Sequence, residues 1–214
     1  MKKLFLLLGV FASINLMLAS CSKSPEQKAK DLAREEIKKH LYFPESYDPA
    51  DVKIDSAFAP YDSPEFMELT SDLIKLSNEV SEAQEEIKRK KSSISIWTSP
   101  YDSFSRNQLN EAKAELAEAQ AKEKKAMEQA QKLGNKMKNM MDKKPEFIGF
   151  KAVVSYRAKN NKGDVLMDNV FAIFDKNIEN IVYMCDNNEY EQYNQAIKEI
   201  QEARESGSAD FSGW

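Results

Sequence analysis

Ser63-Pro64-Glu65-Phe66-Met67-Glu68-Leu69-Thr70-Ser71-Asp72-Leu73 opens the stretch that decides the fold. A serine side chain can cap a helix, and a proline in the first turn loses no hydrogen bond there. From that start apolar residues recur three and four apart: Phe66, Leu69, Leu73, Leu76, Val80, Ala83 and Ile87. A second series runs Leu109, Ala112, Leu116, Ala119, Ala126, Ala130, Leu133, Met137 and Met140, interrupted by Glu123. This is the spacing of helices that pair along a seam. Ser105-Arg106-Asn107-Gln108 has the form of a capping box and marks the start of the second helix.

Between the two series lies Trp97-Thr98-Ser99-Pro100-Tyr101-Asp102-Ser103-Phe104, whose proline and serines favour a turn. The arrangement expected is an antiparallel hairpin turning near residue 103. That register pairs Phe66 with Met140, Leu73 with Leu133, Val80 with Ala126, Ile87 with Ala119 and Trp97 with Leu109. Large residues on one helix then meet small or flexible ones on the other. Two layers are flawed, Ala83 opposite Glu123 and Lys90 opposite Leu116, and Gly134 weakens the second helix by about 1 kcal/mol. Helices of roughly 35–40 residues make an arm about 50–60 Å long.

Outward from the arm the pattern changes. Pro25 to Leu41 reads as an amphipathic helix with Ala29, Leu32, Ala33, Ile37 and Leu41 on one face, and Pro44 follows it. Val52, Ile54, Ser56 and Phe58 alternate with Lys53, Asp55 and Ala57 as a short strand closed by Pro60. After Pro145 the period becomes two: Phe147 to Ala158, Val165 to Phe174 and Ile178 to Met184 read as strands. Asn160-Asn161-Lys162-Gly163-Asp164 and Asp175-Lys176-Asn177 supply the turns. A last helix begins at Asn188 with Tyr190, Tyr193, Ile197 and Ile200 as its stripe.

The fold class expected is therefore α+β. It has a small antiparallel sheet of about four strands, flanking N- and C-terminal helices, and an inserted long antiparallel coiled-coil helical hairpin. The chain divides into residues 1–20, a leader; 21–62, the first helix and strand; 63–144, the hairpin; 145–204, the remaining strands and last helix; and 205–214, a loose tail rich in Gly, Ser and Asp.

The leader carries its own signal. Lys2 and Lys3 precede an apolar run from Leu4 to Ala19, shorter than the ~20 residues of a stable membrane span. Leu18-Ala19-Ser20-Cys21 resembles the lipobox of bacterial lipoproteins. The resemblance implies cleavage before Cys21, lipidation of that residue, and anchoring by several acyl chains at about 0.8 kcal/mol per buried methylene. Ser22 stands where enteric lipoproteins retained at the inner membrane carry aspartate, so the outer membrane of the cell envelope is the expected location. The face exposed is left open. The linker Leu41-Tyr42-Phe43-Pro44-Glu45-Ser46-Tyr47 and Phe147-Ile148-Gly149-Phe150 are similar to those of uncharacterised small lipoproteins of Bacteroidota, a likeness that implies no activity.

Composition narrows the classes of function. The chain has net charge −4, and removing residues 1–20 takes away Lys2 and Lys3 and no acid, leaving −6. An acidic protein lacks the broad positive field of nucleic-acid binders, so nucleic acid is not an expected partner. With Cys21 lipidated, Cys185 has no disulfide partner and reads as a small buried hydrophobe at a strand end. His40 is the only histidine, late in the first helix, and no cluster of metal-ligating residues accompanies it. There is no nucleophile elbow and no phosphate-cradling glycine loop. Glu35-Glu36 and Glu85-Glu86 are solvated helix faces. No catalytic residue, metal or cofactor is expected.

One cluster stands out. Ile94, Ile96, Trp97, Tyr101 and Phe104 gather at a turn that would ordinarily be polar, and Trp97, Tyr101 and Phe104 form a candidate interaction tip. The ordinary reading is that these rings plug the open end of the seam, Trp97 over Leu109. Met137, Met140 and Met141 offer the same choice between an adaptable surface and packing. The favoured function is a non-enzymatic envelope lipoprotein, membrane-anchored through Cys21, that binds a protein partner or self-associates through its hairpin. The alternative is a small-ligand or enzymatic module whose site on the sheet gathers Tyr156, Arg157 and Asp168.

Overall fold

The computed structural model describes residues 23–97 and 101–205. Within them the chain runs α1 (Pro25–His40), a 3-10 turn (Pro44–Ser46), β1 (Asp48–Ala59), α2 (Pro64–Ile96), α3 (Ser103–Met141), β2 (Glu146–Lys159), β3 (Val165–Phe174), β4 (Ile181–Asp186) and α4 (Asn187–Glu205). This is the α+β class the patterning implies. Two compact units result. One comprises the described residues up to Ala57 with Gly149–Asn187; the other comprises Phe58–Ile148 and the chain from Asn188 on.

The first unit is helix on sheet. The strands lie in the order β1-β2-β3-β4, so the hairpin is inserted between two neighbours. β2 with β3 and β3 with β4 are antiparallel. For β1 and β2 the same follows from side chains: Arg157 pairs with Asp48, Phe147 lies edge-on to Phe58, and the Lys159 amide donates to the Ser46 hydroxyl. Positions climb on one strand as they descend on the other.

One face of the sheet presents Ala152, Val154, Tyr156, Val170, Ala172 and Phe174 to Ala29, Ala33 and Ile37 of α1. Two alanines on the helix keep its backbone close to the strands, which is why a 16-residue helix closes this core. Its N-terminus is capped by Ser24, whose hydroxyl accepts from the Gln27 amide. The β2–β3 turn is built as its residues require. Asn160 Oδ1 accepts the Lys162 and Asp164 amides, and Gly163 takes the left-handed backbone at φ +90°.

In the second unit α2 and α3 form the antiparallel hairpin. Ser63 caps α2 by accepting from the Phe66 amide at 3.3 Å, with Pro64 in the first turn. Phe66, Leu69, Leu73, Val80, Ala83 and Ile87 are buried on α2, and Ala112, Ala119 and Ala126 on α3. The layer flawed on paper, Lys90 opposite Leu116, is answered by an ion pair: Lys90 Nζ reaches Glu115 Oε2 at 2.7 Å and stays partly in solvent.

Several expectations are corrected. α3 starts two residues before the proposed capping box, because Asp102 is the cap instead. Toward its end the buried positions are Ala130, Gly134, Met137 and Met141, whereas Leu133 and Met140 are only half-buried. There α3 answers to a second neighbour, since Arg204 of α4 bonds Asp142 Oδ1 and the Met141 carbonyl. The C-terminal helix thus clusters with the hairpin, not with the strands it follows. β1 is longer than expected, and its alternation slips near its end: Ala57 is buried and Phe58 exposed. β4 starts at Ile181, because Ile178 sits in the preceding turn at φ +54°.

Candidate interaction site at the hairpin tip

The two helix ends that form the tip are held by short, local bonds. α2 closes as the Trp97 amide donates to the Ile94 carbonyl at 3.1 Å. α3 opens on Asp102, whose Oδ1 accepts the Ser105 amide at 2.7 Å and the Ser105 hydroxyl at 2.5 Å. The same hydroxyl and amide hold the Asp102 carboxyl below the usual carboxylate range. Asp102 also accepts Arg106 Nε through its carbonyl, at 3.3 Å. Ser105, polar yet buried, is thereby satisfied.

Across the turn the Trp97 and Phe104 rings meet edge to face, 6.2 Å between centroids at 81°. Trp97 and Leu109 are both half-buried. The tip thus divides: Trp97 takes part in closing the hairpin, while Ile96 is 74%, Tyr101 89% and Phe104 62% exposed. Ile94 is half-buried. Of the three tip residues singled out in the sequence, Tyr101 and Phe104 are open to solvent, and the third, Trp97, packs against Phe104. Residues 98–100 and Cys21 lie outside the described residues.

Elsewhere the candidate chemistry disperses. Tyr156 and Asp168 are register partners, and the Tyr156 hydroxyl donates to Asp168 Oδ2 at 3.2 Å. Burial and the Asp168 carboxylate push the Tyr156 phenol up to about 12. Arg157 cannot join them, because adjacent strand residues point to opposite faces; it pairs with Asp48 Oδ2 at 3.4 Å. The trio proposed for a sheet site is not brought together. Tyr47 stacks on Tyr156, centroids 5.6 Å apart, with its hydroxyl buried.

His40 is exposed and lies 3.5 Å from Glu36, one turn before it. Cys185 is buried in β4. Among the described residues no three His, Cys, Asp or Glu side chains gather to hold a metal ion, and no helix is long and apolar enough to cross a membrane. A feature the sequence did not reveal is a cleft of ≈580 Å³ between α2 and α4, floored by Thr70, Leu73 and Ile200 and edged by Asn78, Gln192 and Gln195. Its only trace in the sequence is amides beside an apolar stripe. Thr70 is already satisfied there, its hydroxyl donating to the Phe66 carbonyl at 2.8 Å.

Comparison with protein-family models, with curated proteins and with solved structures finds no match for this chain.

Proposed function

We propose that this chain is a non-enzymatic interaction module of the bacterial cell envelope, anchored by lipid on Cys21 and engaging its partner through the tip of its helical hairpin. The observation that carries the reading is the exposure of Ile96, Tyr101 and Phe104 at a turn braced by the Asp102–Ser105 cap and the Trp97–Phe104 pair. Exposed apolar rings cost solvation unless something covers them, and aromatic side chains on a rigid support are the usual anchors of interfaces. The lipobox-like Leu18-Ala19-Ser20-Cys21 supports the envelope location.

The test is site-specific photo-crosslinking in intact cells. A photoreactive side chain at Tyr101 is expected to give a discrete adduct, whereas one at Glu128, exposed in the middle of α3, gives none. Ile96→Ala should weaken that adduct while leaving the melting temperature nearly unchanged, since its side chain is 74% exposed and lies outside the Trp97–Phe104 pair. A silent position 101, or a large loss of stability in this variant, would sink the reading.

A further inference from the structure

The tip also has a charge distribution opposed to that of the chain. Between Ile87 and Asn110 there are five basic residues, Lys88, Arg89, Lys90, Lys91 and Arg106, against one acid, Asp102. That segment carries +4 in a chain of −4. Lys90 is committed to Glu115, but Lys88, Arg89, Lys91 and Arg106 are exposed. Successive helix residues are spaced about 100° apart, so Lys88 to Lys91 surround α2 as a collar. The collar begins about 9 Å behind Trp97 and ends about 14 Å behind it, at 1.5 Å per residue. On α3, Glu111 lies near the level of Ser95 and Glu115 and Glu118 lie beside the collar, with Lys113 among them, so the whole end of the hairpin from residue 88 to residue 118 still carries +2.

An apolar wedge backed by cations at that distance matches the layering of one surface in particular. Apolar groups of interfacial proteins settle roughly 5–10 Å into a bilayer, where Trp and Tyr are favoured, while Lys and Arg meet the headgroup phosphates above them. We propose that the hairpin tip docks on an anionic phospholipid bilayer, with Ile96, Trp97, Tyr101 and Phe104 entering the interface and Lys88, Arg89, Lys91 and Arg106 pairing with headgroups. This rests on the tip being the working end, as above, and names an anionic lipid surface in place of a protein as what it contacts, so that Trp97 quenched by lipid with Tyr101 silent toward protein keeps the working tip and removes the protein partner. An apolar protein groove fitted to the rings alone would not call for cations on the helix about two turns back.

The experiment uses the full acylated protein in vesicles of phosphatidylcholine, alone or mixed with phosphatidylglycerol. Trp214→Phe leaves Trp97 as the only tryptophan. Acyl-brominated lipid is placed either in the host vesicles or in added protein-free vesicles, so that reach to the same or a second membrane is read. Trp97 emission is expected to be quenched in at least one arrangement when phosphatidylglycerol is present, and much less in its absence. Each basic side chain at an anionic surface contributes about fivefold in partitioning, so Lys88→Gln, Arg89→Gln and Lys91→Gln together should weaken the tip's association on the order of a hundredfold. Circular dichroism of this exposed-site variant verifies its fold. Unquenched Trp97 in all vesicles, or quenching indifferent to phosphatidylglycerol, overturns the proposal. If Trp97 stays unquenched while Tyr101 still crosslinks a protein in cells, the lipid surface falls and the interaction module stands; if both are silent, both fall.

Discussion

Gly149 shows how much one residue can be constrained. It sits near the start of β2 at φ +153°, and a Cβ there would lie 2.0 Å from the Phe174 carbonyl oxygen and 2.9 Å from the Asp175 carbonyl carbon. Both obstacles are backbone, so neither can swing aside. Gly149→Ala should cost about 2–4 kcal/mol, measured by urea unfolding; an unchanged midpoint would show that the strands part there at no cost. Nearby, Ile178 holds a left-handed backbone that β-branched residues avoid. Its buried side chain and the Asp175 carboxylate, which accepts the Asn177 and Glu179 amides and the Asn180 side chain, hold it in that conformation. Tyr156 supplies a pH prediction. Its phenol is raised to about 12 in the folded chain against 10.0 ordinarily, so the unfolded chain loses the proton first. Stability is therefore unaffected by this group below pH 10 and falls as pH rises from there toward 12. Thermal melts across that window should show a decline that Tyr156→Phe lessens. If the two proteins decline alike, the group is not responsible.

At the scale of the element, the hairpin owes its closeness to alanines. Ala112, Ala119 and Ala126, seven residues apart, are all nearly inaccessible. Ala119→Leu should overpack its layer and cost about 1–3 kcal/mol, read as a lowered melting temperature. Gln120→Leu, one residue on and exposed, should stay within about 0.5 kcal/mol. Equal effects would mean that the alanine stripe does not set the spacing. The helix periods, the Ser63 cap and the turns at Asn160 and Asp175 were legible because each rests on contacts within a few residues. The cap of α3 is less legible, since Asp102 and Ser105 both satisfy the residue preference, and it is Asp102 that accepts the Ser105 amide and hydroxyl.

For the molecule as a whole, location is the first question. The reading of Cys21 predicts that Cys21→Ser releases the protein from the membrane fraction and abolishes palmitate incorporation. A serine variant still sedimenting with membranes, or a wild type that takes up no label, would remove the anchor and leave the hairpin without its setting. The cleft between α2 and α4 and the exposed tip are different kinds of surface. The cleft exists because α4 joins the hairpin, a placement decided by contacts far apart in sequence.

What the sequence determined unaided is whatever depends on neighbours along the chain: the α+β class, the paired helical periods, the strand alternation, and the aromatic cluster at the turn. Tertiary structure alone decided that α4 clusters with the hairpin, that Ile96, Tyr101 and Phe104 stay open while Trp97 braces Phe104, and that Arg157 turns away from Tyr156 and Asp168. The reason is physical. Periodicity records which side of an element is apolar, but which surface covers that side is settled by packing between residues that the chain brings together only after it folds.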